Sequence, residues 1–122
     1  GVSGHSLAFG PGHQPGSAHP GSNGHVVLAA HRDTHFRFLK DVKRGDELWL
    51  QSPHRNLILY EVSDLMVVDK NDTHHLDQSR HGMLTLVTCY PFDSAFSRGR
   101  QRYLVQLVRR HQRGSTASEN RS

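Results

Sequence analysis

Thr85-Leu86-Val87-Thr88-Cys89-Tyr90-Pro91-Phe92 carries the only cysteine in the chain and closes its clearest strand pattern. From Met83 to Thr88 aliphatic and β-branched residues alternate, Leu84 and Leu86 on one face, Thr85 and Val87 on the other, as a strand requires. Pro91 has no N–H with which to continue a ladder, so it ends the strand. Cys89 is therefore expected where a strand opens into a loop, a position suited to a reactive side chain. A lone thiol cannot make an internal disulfide. It is a small core hydrophobe, an exposed bystander or a nucleophile.

Upstream, Val26-Val27-Leu28-Ala29-Ala30-His31 is a short apolar run that reads as a buried strand. Phe36, Phe38 and Leu39 suggest one helical turn within 32–46. Arg44-Gly45-Asp46 is a turn signal before a strand at Glu47 to Gln51, and Ser52-Pro53-His54-Arg55-Asn56 separates that strand from a hairpin partner at Leu57 to Val62. A kink at Ser63-Asp64 precedes a further strand at Leu65 to Val68. Residues 69–82 read as a polar loop with a short helical turn, and Arg102 to Val108 as the last strand. Short strands joined by turns, without long amphipathic helices, predict an all-β barrel or sandwich. Residues 1–24, rich in Gly, Pro, Ser and His, are expected to be a loop region of the same domain, 25–110 its core, and 111–122 a disordered polar tail.

The 122 residues suit one domain of ordinary size. Net charge is +4, with eleven histidines able to add to it in acid. The basic residues are scattered, apart from Arg109, Arg110 and Arg113, and aromatics do not interleave with them as base-stacking platforms would. No nucleic-acid partner is expected. No apolar run approaches the roughly twenty residues of a membrane span, and no signal peptide is visible. A chain starting at Gly1 reads as an excerpt or a processed product.

If Cys89 is a nucleophile it needs help to ionise, because a free thiol with a pKa of about 8.5 is mostly protonated at neutral pH. His31, at the end of a buried strand as Cys89 is, is the best-placed partner: two neighbouring strands of one sheet would bring those ends together. His35 is a weaker alternative. Arg102 opens the last strand and could direct a guanidinium at a developing oxyanion, with Arg98 and Arg100 as competitors. His31-Arg32-Asp33 does not make a kinase catalytic loop, since Phe38 stands where that loop needs asparagine. The pairs His31/His35 and His74/His75 could bind a metal, but the first lacks the glutamate of a zinc helix. No metal site and no cofactor are expected.

These residues together resemble the sortase family. Thr85-Leu86-Val87-Thr88-Cys89 matches the sortase signature TLxTC, with Ala29-Ala30-His31 upstream and Arg102-Tyr103-Leu104-Val105 downstream in the family's order and spacing. The resemblance runs from about Leu7 to Arg110. Cys89-Tyr90-Pro91-Phe92 and Leu7-Ala8-Phe9-Gly10-Pro11-Gly12 look most like the sortases of Gram-negative proteobacteria. The resemblance implies a closed sortase-type β-barrel and a cysteine transpeptidase. Cys89 would attack the Thr–Gly-type bond of an LPxTG-like C-terminal sorting signal in a partner protein, and an amine acceptor would resolve the thioester.

On that resemblance His31 would shuttle the proton, Arg102 would hold substrate and oxyanion, and Thr88 and Thr85 would help to bind the substrate. It further implies an extracytoplasmic enzyme of the cell envelope, anchored in the inner membrane and facing the periplasm through a segment absent from this chain. The family barrel begins with one or two strands that this chain is expected to lack, leaving an open edge of unpaired backbone groups. A cysteine hydrolase using the same site and a non-catalytic peptide-binding β-module are the rival readings.

Overall fold

The computed structural model describes residues 5–9, 12–20, 22, 24–30, 36–54, 56–77, 80–90 and 100–110. Six strands form one sheet: β1 (His5–Ala8), β2 (His25–Ala29), β3 (Glu47–Gln51), β4 (Leu57–Asp69), β5 (Met83–Tyr90) and β6 (Gln101–Arg109). Their spatial order is β1-β3-β4-β6-β5-β2, and the sheet curls around one core as a half-barrel. Two 3-10 turns, Arg37–Asp41 and His74–Leu76, are the helical structure among the described residues. This is the expected all-β architecture with helical turns in its loops. No helix among these residues is long and apolar enough to cross a membrane.

The hairpin of β3 and β4 is antiparallel, Leu48 opposite Tyr60 and Leu50 opposite Ile58. Its loop is closed by Ser52 N–H to Asn56 O at 2.8 Å and Asn56 N–H to Ser52 Oγ at 3.2 Å. β4 then changes neighbour: thirteen residues long, it pairs with β3 through Glu61 and with β6 from Tyr60 to Asp69. The kink expected at Ser63-Asp64 is a register shift between Val62 and Asp64, so the two strands expected there are one. A bulge of this kind bends a strand without ending it, and the Ser63 hydroxyl donates to Gln106 O at 3.1 Å.

Alternation sets the core. Leu84 and Leu86 of β5, Val105 and Leu107 of β6, Leu48 and Leu50 of β3, and Val26 and Leu28 of β2 all point into one cluster, with Phe36 and Leu39 packed against it. Each such side chain removed from water contributes about 1.5–3 kcal/mol. The opposite face is covered over part of its length. Val27, Thr85, Leu104 and Gln106 are also buried there, as is His25.

β2 and β5 run parallel, with Val27 opposite Thr85 and Ala29 opposite Val87. The outer edge of β2 is sealed by the segment 12–18, which carries no strand of its own. Ala29 N–H donates to Gly12 O at 2.8 Å, Gln14 N–H to Val27 O at 3.0 Å and Ala18 N–H to His25 O at 3.1 Å. Gly12 has φ +93°, and a Cβ there would lie 2.0 Å from Ala29 O, so only glycine permits this approach. Within the region expected to be loop, His5–Ala8 is instead a strand, parallel to β3 and extended by Phe9 N–H to Gln51 O at 2.8 Å. Four residues are too few to show a period, and the partner, not the local pattern, makes them a strand.

Candidate active site

Cys89 is the penultimate residue of β5, inside the ladder and not beyond it, and it is half-buried. Directly opposite, across the β5–β6 pairing, stands Arg102. Facing residues of adjacent strands project to the same side of a sheet, so thiol and guanidinium share one face. Arg102 Nη1–H donates to Gln101 O at 2.9 Å, which ties the head group back to its own strand. A cleft of about 290 Å³ opens on this end of the sheet, lined by Ala29, Ala30, Val87, Thr88, Cys89 and Arg102. Of the arginines weighed from sequence, Arg102 is the described one that lines the cleft. The exposed Arg100 does not line it and offers its carbonyl to Lys70 N–H at 2.6 Å, and Arg98 lies outside the described residues.

β2 reaches the same place from the other side of β5. Ala30 N–H donates to Val87 O at 3.1 Å, so the chain is still bonded to β5 at the last described residue before His31. His31 itself, His35, Pro91 and Phe92 lie outside the described residues. Ala29 and Ala30 line the cleft together with Val87, a contribution not anticipated from sequence, where the alanines read as strand residues and as part of the stretch leading to His31.

The two threonines of the signature have different surroundings. Thr88 lines the cleft, is 2% exposed, and its Oγ1 is the one buried side-chain polar atom without a hydrogen-bond partner among the described residues. Such a group costs about 1–3 kcal/mol, and a hydroxyl left unsatisfied beside a cleft can serve what enters it.

Thr85 does not line the cleft. It is fully buried, with its Oγ1 2.6 Å from His25 Nε2. The expectation that Thr85 binds substrate therefore does not fit its surroundings. Asp77 O, 3.0 Å from His25 Nδ1, can only accept, so Nδ1 carries a hydrogen and Nε2 accepts from Thr85. Gln106 Nε2 donates to His75 O at 3.0 Å and more weakly to Thr85 Oγ1 at 3.4 Å. His25 and Gln106 were not singled out from sequence. Their one signal is a polar side chain at a strand position whose alternation predicts a buried face.

Charge around the cleft follows from burial. Tyr103, on the neighbouring rung, stacks with Tyr90 at 6.1 Å between ring centroids, and burial followed by the Tyr90 phenol pushes its pKa up. Both Tyr103 causes favour the neutral phenol. Arg102 is thus the fixed positive charge among the lining residues described. Thiol and guanidinium along one cleft suit nucleophilic attack on a carbonyl with the oxyanion held by a planar donor.

The sortase domain family model matches residues 1–109. Sortase D of Bacillus subtilis is 38% identical over 100 residues, covering 81% of this chain and 50% of that protein. Sortase A from Corynebacterium diphtheriae superposes with a TM-score of 0.70 at 32% identity, over 82% of this chain and 47% of that one. Clostridium perfringens sortase C, solved with the C-terminal cell wall sorting motif, gives a TM-score of 0.63 at 28% identity, over 75% of this chain and 50% of that one. The chain thus spans about half the length of the relatives it matches.

Proposed function

We propose that this chain, which belongs to the sortase family, carries the active site of a cysteine transpeptidase acting on a C-terminal sorting signal. The observation that carries the proposal is the placement of Cys89 opposite Arg102 in a cleft whose third wall, Ala29-Ala30, directly precedes His31. The Cys89 thiolate adds to the carbonyl carbon of a Thr–Gly-type bond. Arg102 stabilises the oxyanion, and Thr88 helps to seat the carbonyl.

Collapse of the adduct breaks the C–N bond, the leaving amine takes a proton from His31, and a thioester to Cys89 remains. An acceptor amine then adds to the thioester, gives its proton to His31 and expels the thiolate as the new amide forms. Thr85, on the same face of β5 as Cys89 but in its covered half, supports this site and makes no contact with substrate. The motif Cys89-Tyr90-Pro91-Phe92 supports assignment to the proteobacterial class, and with it a place in the cell envelope, facing the periplasm.

Mass spectrometry of the protein mixed with an LPxTG-type peptide, with and without an amine acceptor, tests the proposal. The expected result is a thioester adduct of Cys89 and a ligated product that depends on the amine. Cleavage that added amine cannot divert identifies a hydrolase. Peptide affinity with no adduct identifies a binding module.

A further inference from the structure

The connection between β4 and β5 holds a cluster that the proposed chemistry does not use. A turn after Asp69, closed by Asn71 N–H to Asp69 Oδ1 at 2.9 Å and Asp72 N–H to Asp69 O at 2.9 Å, delivers Asp72 to the start of the His74–Leu76 3-10 turn. Asp72 Oδ1 lies 2.5 Å from His74 Nδ1, and the His74 and His75 rings lie 3.8 Å apart between centroids, tilted by 39°. Each of the three side chains offers one ligand atom, and these atoms all fall within 4.8 Å of one another.

The backbone that carries them is fixed from below. His75 O accepts from Gln106 Nε2, and Gln106 is itself 1% exposed. The ligand-bearing turn is therefore held to a buried residue of β6, while His74 and Asp72 remain open to solvent, 71% and 39% exposed.

We propose that Asp72, His74 and His75 form a binding site for a borderline divalent transition ion, Zn²⁺ being the representative case. Two imidazoles and one carboxylate are the donor set that such ions take, whereas Ca²⁺ and Mg²⁺ need oxygen ligands. One negative charge in the set partly offsets the dication. Zinc–ligand bonds of about 2.0–2.2 Å place tetrahedral ligands roughly 3.3–3.5 Å apart. The 2.5 Å Asp72–His74 contact must widen and the looser contacts must close. The ion then takes the place of the hydrogen between Asp72 and His74, so its binding competes with protons. Solvent supplies the remaining ligands, consistent with the exposure of the cluster. Because Lys70 N–H is bonded to Arg100 O and Asp69 faces Gln101, the ion would stiffen the connection that begins beside Arg102.

The test uses the full chain carrying Cys89→Ala, so that the thiol cannot bind zinc and the outcome is independent of the transpeptidase proposal. Calorimetric titration with ZnCl₂ at pH 7.5 is expected to show one site. His75→Gln and Asp72→Asn should each weaken it about tenfold or more, as should a fall to pH 5.5, and CaCl₂ should not compete. Amide hydrogen exchange should slow over residues 72–77 when zinc is added. All three side chains are at least partly exposed, so circular dichroism should find these variants folded. Zinc affinity unchanged in a His74→Gln/His75→Gln double variant, or protection appearing elsewhere in the chain, would overturn the proposal.

Discussion

The two halves of β5 share one strand, one partner ladder with β6 and one inner face, yet they do different things. From Met83 to Leu86 both faces are covered: the inner by the leucine core, the outer by His25, Gln106 and the backbone of His75 and Asp77. From Val87 to Tyr90 the outer cover stops, and three of the four residues are only half-buried. The cleft begins where the cover ends. The covered half supplies rigidity through burial and satisfied polar groups. The open half holds a half-buried thiol on a backbone paired with β6, the preorganisation that the proposed nucleophile needs.

The sharpest way to break this contrast is one truncation in each half. Cys89→Ala is expected to abolish both cleavage and ligation of a sorting peptide while leaving the thermal midpoint nearly unchanged, since the residue is half-buried and no acyl carrier remains. Leu86→Ala, fully buried, should cost about 2–5 kcal/mol of stability and leave the turnover of each folded molecule close to the parent value. Peptide turnover and urea denaturation of both variants decide it. A Cys89→Ala protein that still ligates removes the nucleophile.

The next effect in size concerns the cation. Arg102→Lys keeps the charge but loses the planar fork of donors, and loss of an oxyanion donor typically costs about 10²–10³-fold in rate. Arg100→Lys, two residues earlier and outside the cleft, should stay within a few-fold. The kcat of each variant for the same peptide checks the pair, and equal losses at both positions would show that charge alone matters.

Residue patterns disclosed the open half better than the covered one. The alternation of Met83–Thr88, the lone cysteine and the order of Ala30-His31, Cys89 and Arg102 all lie in short contiguous stretches, so β5, β3, β6 and the Cys89–Arg102 pair were legible. What was not legible depends on distant partners. Strand β1 exists because β3 is beside it. The single strand β4 survives its kink because β6 absorbs a bulge. Thr85 looked like a site residue because it shares the signature with Cys89, and its partners His25 and Gln106 stand 60 and 21 positions away. A polar residue at an alternation-buried position signals a network, but sequence does not say with whom.

The same substitution made in both halves sharpens the comparison further. Thr85→Val removes the hydroxyl that satisfies His25 Nε2 and receives Gln106, leaving a buried acceptor without its donor. That should cost about 1–3 kcal/mol, with the rate per folded molecule largely retained. Thr88→Val removes a hydroxyl that has no partner among the described residues. Stability should hold or rise slightly while turnover falls. Denaturation midpoints and kcat/KM measured on the two variants give opposite signatures if the division of β5 is right, and matching signatures if it is not.

The smallest expected effect is a pH dependence of the covered half. Burial, the largest cause, pushes the His25 pKa below its ordinary value of 6.5; the nearby Arg80 charge pushes the same way, while the Asp77 carbonyl and carboxylate push back. The neutral ring is the form the folded chain prefers. Above pH 6.5 His25 is neutral in both states and its contribution is intact. As pH falls below 6.5 the unfolded chain takes up a proton that the folded chain does not. Stability then declines by at most about 1.4 kcal/mol per pH unit, levelling off once the folded ring also titrates. Denaturation of the parent chain and of His25→Gln between pH 7.5 and pH 5 isolates this contribution. The parent should lose more stability than the variant across that interval, because glutamine keeps polar groups at the site but cannot titrate. Parallel curves would mean that His25 is as easily protonated folded as unfolded, and that the cover over Thr85 is more open to water than its burial implies.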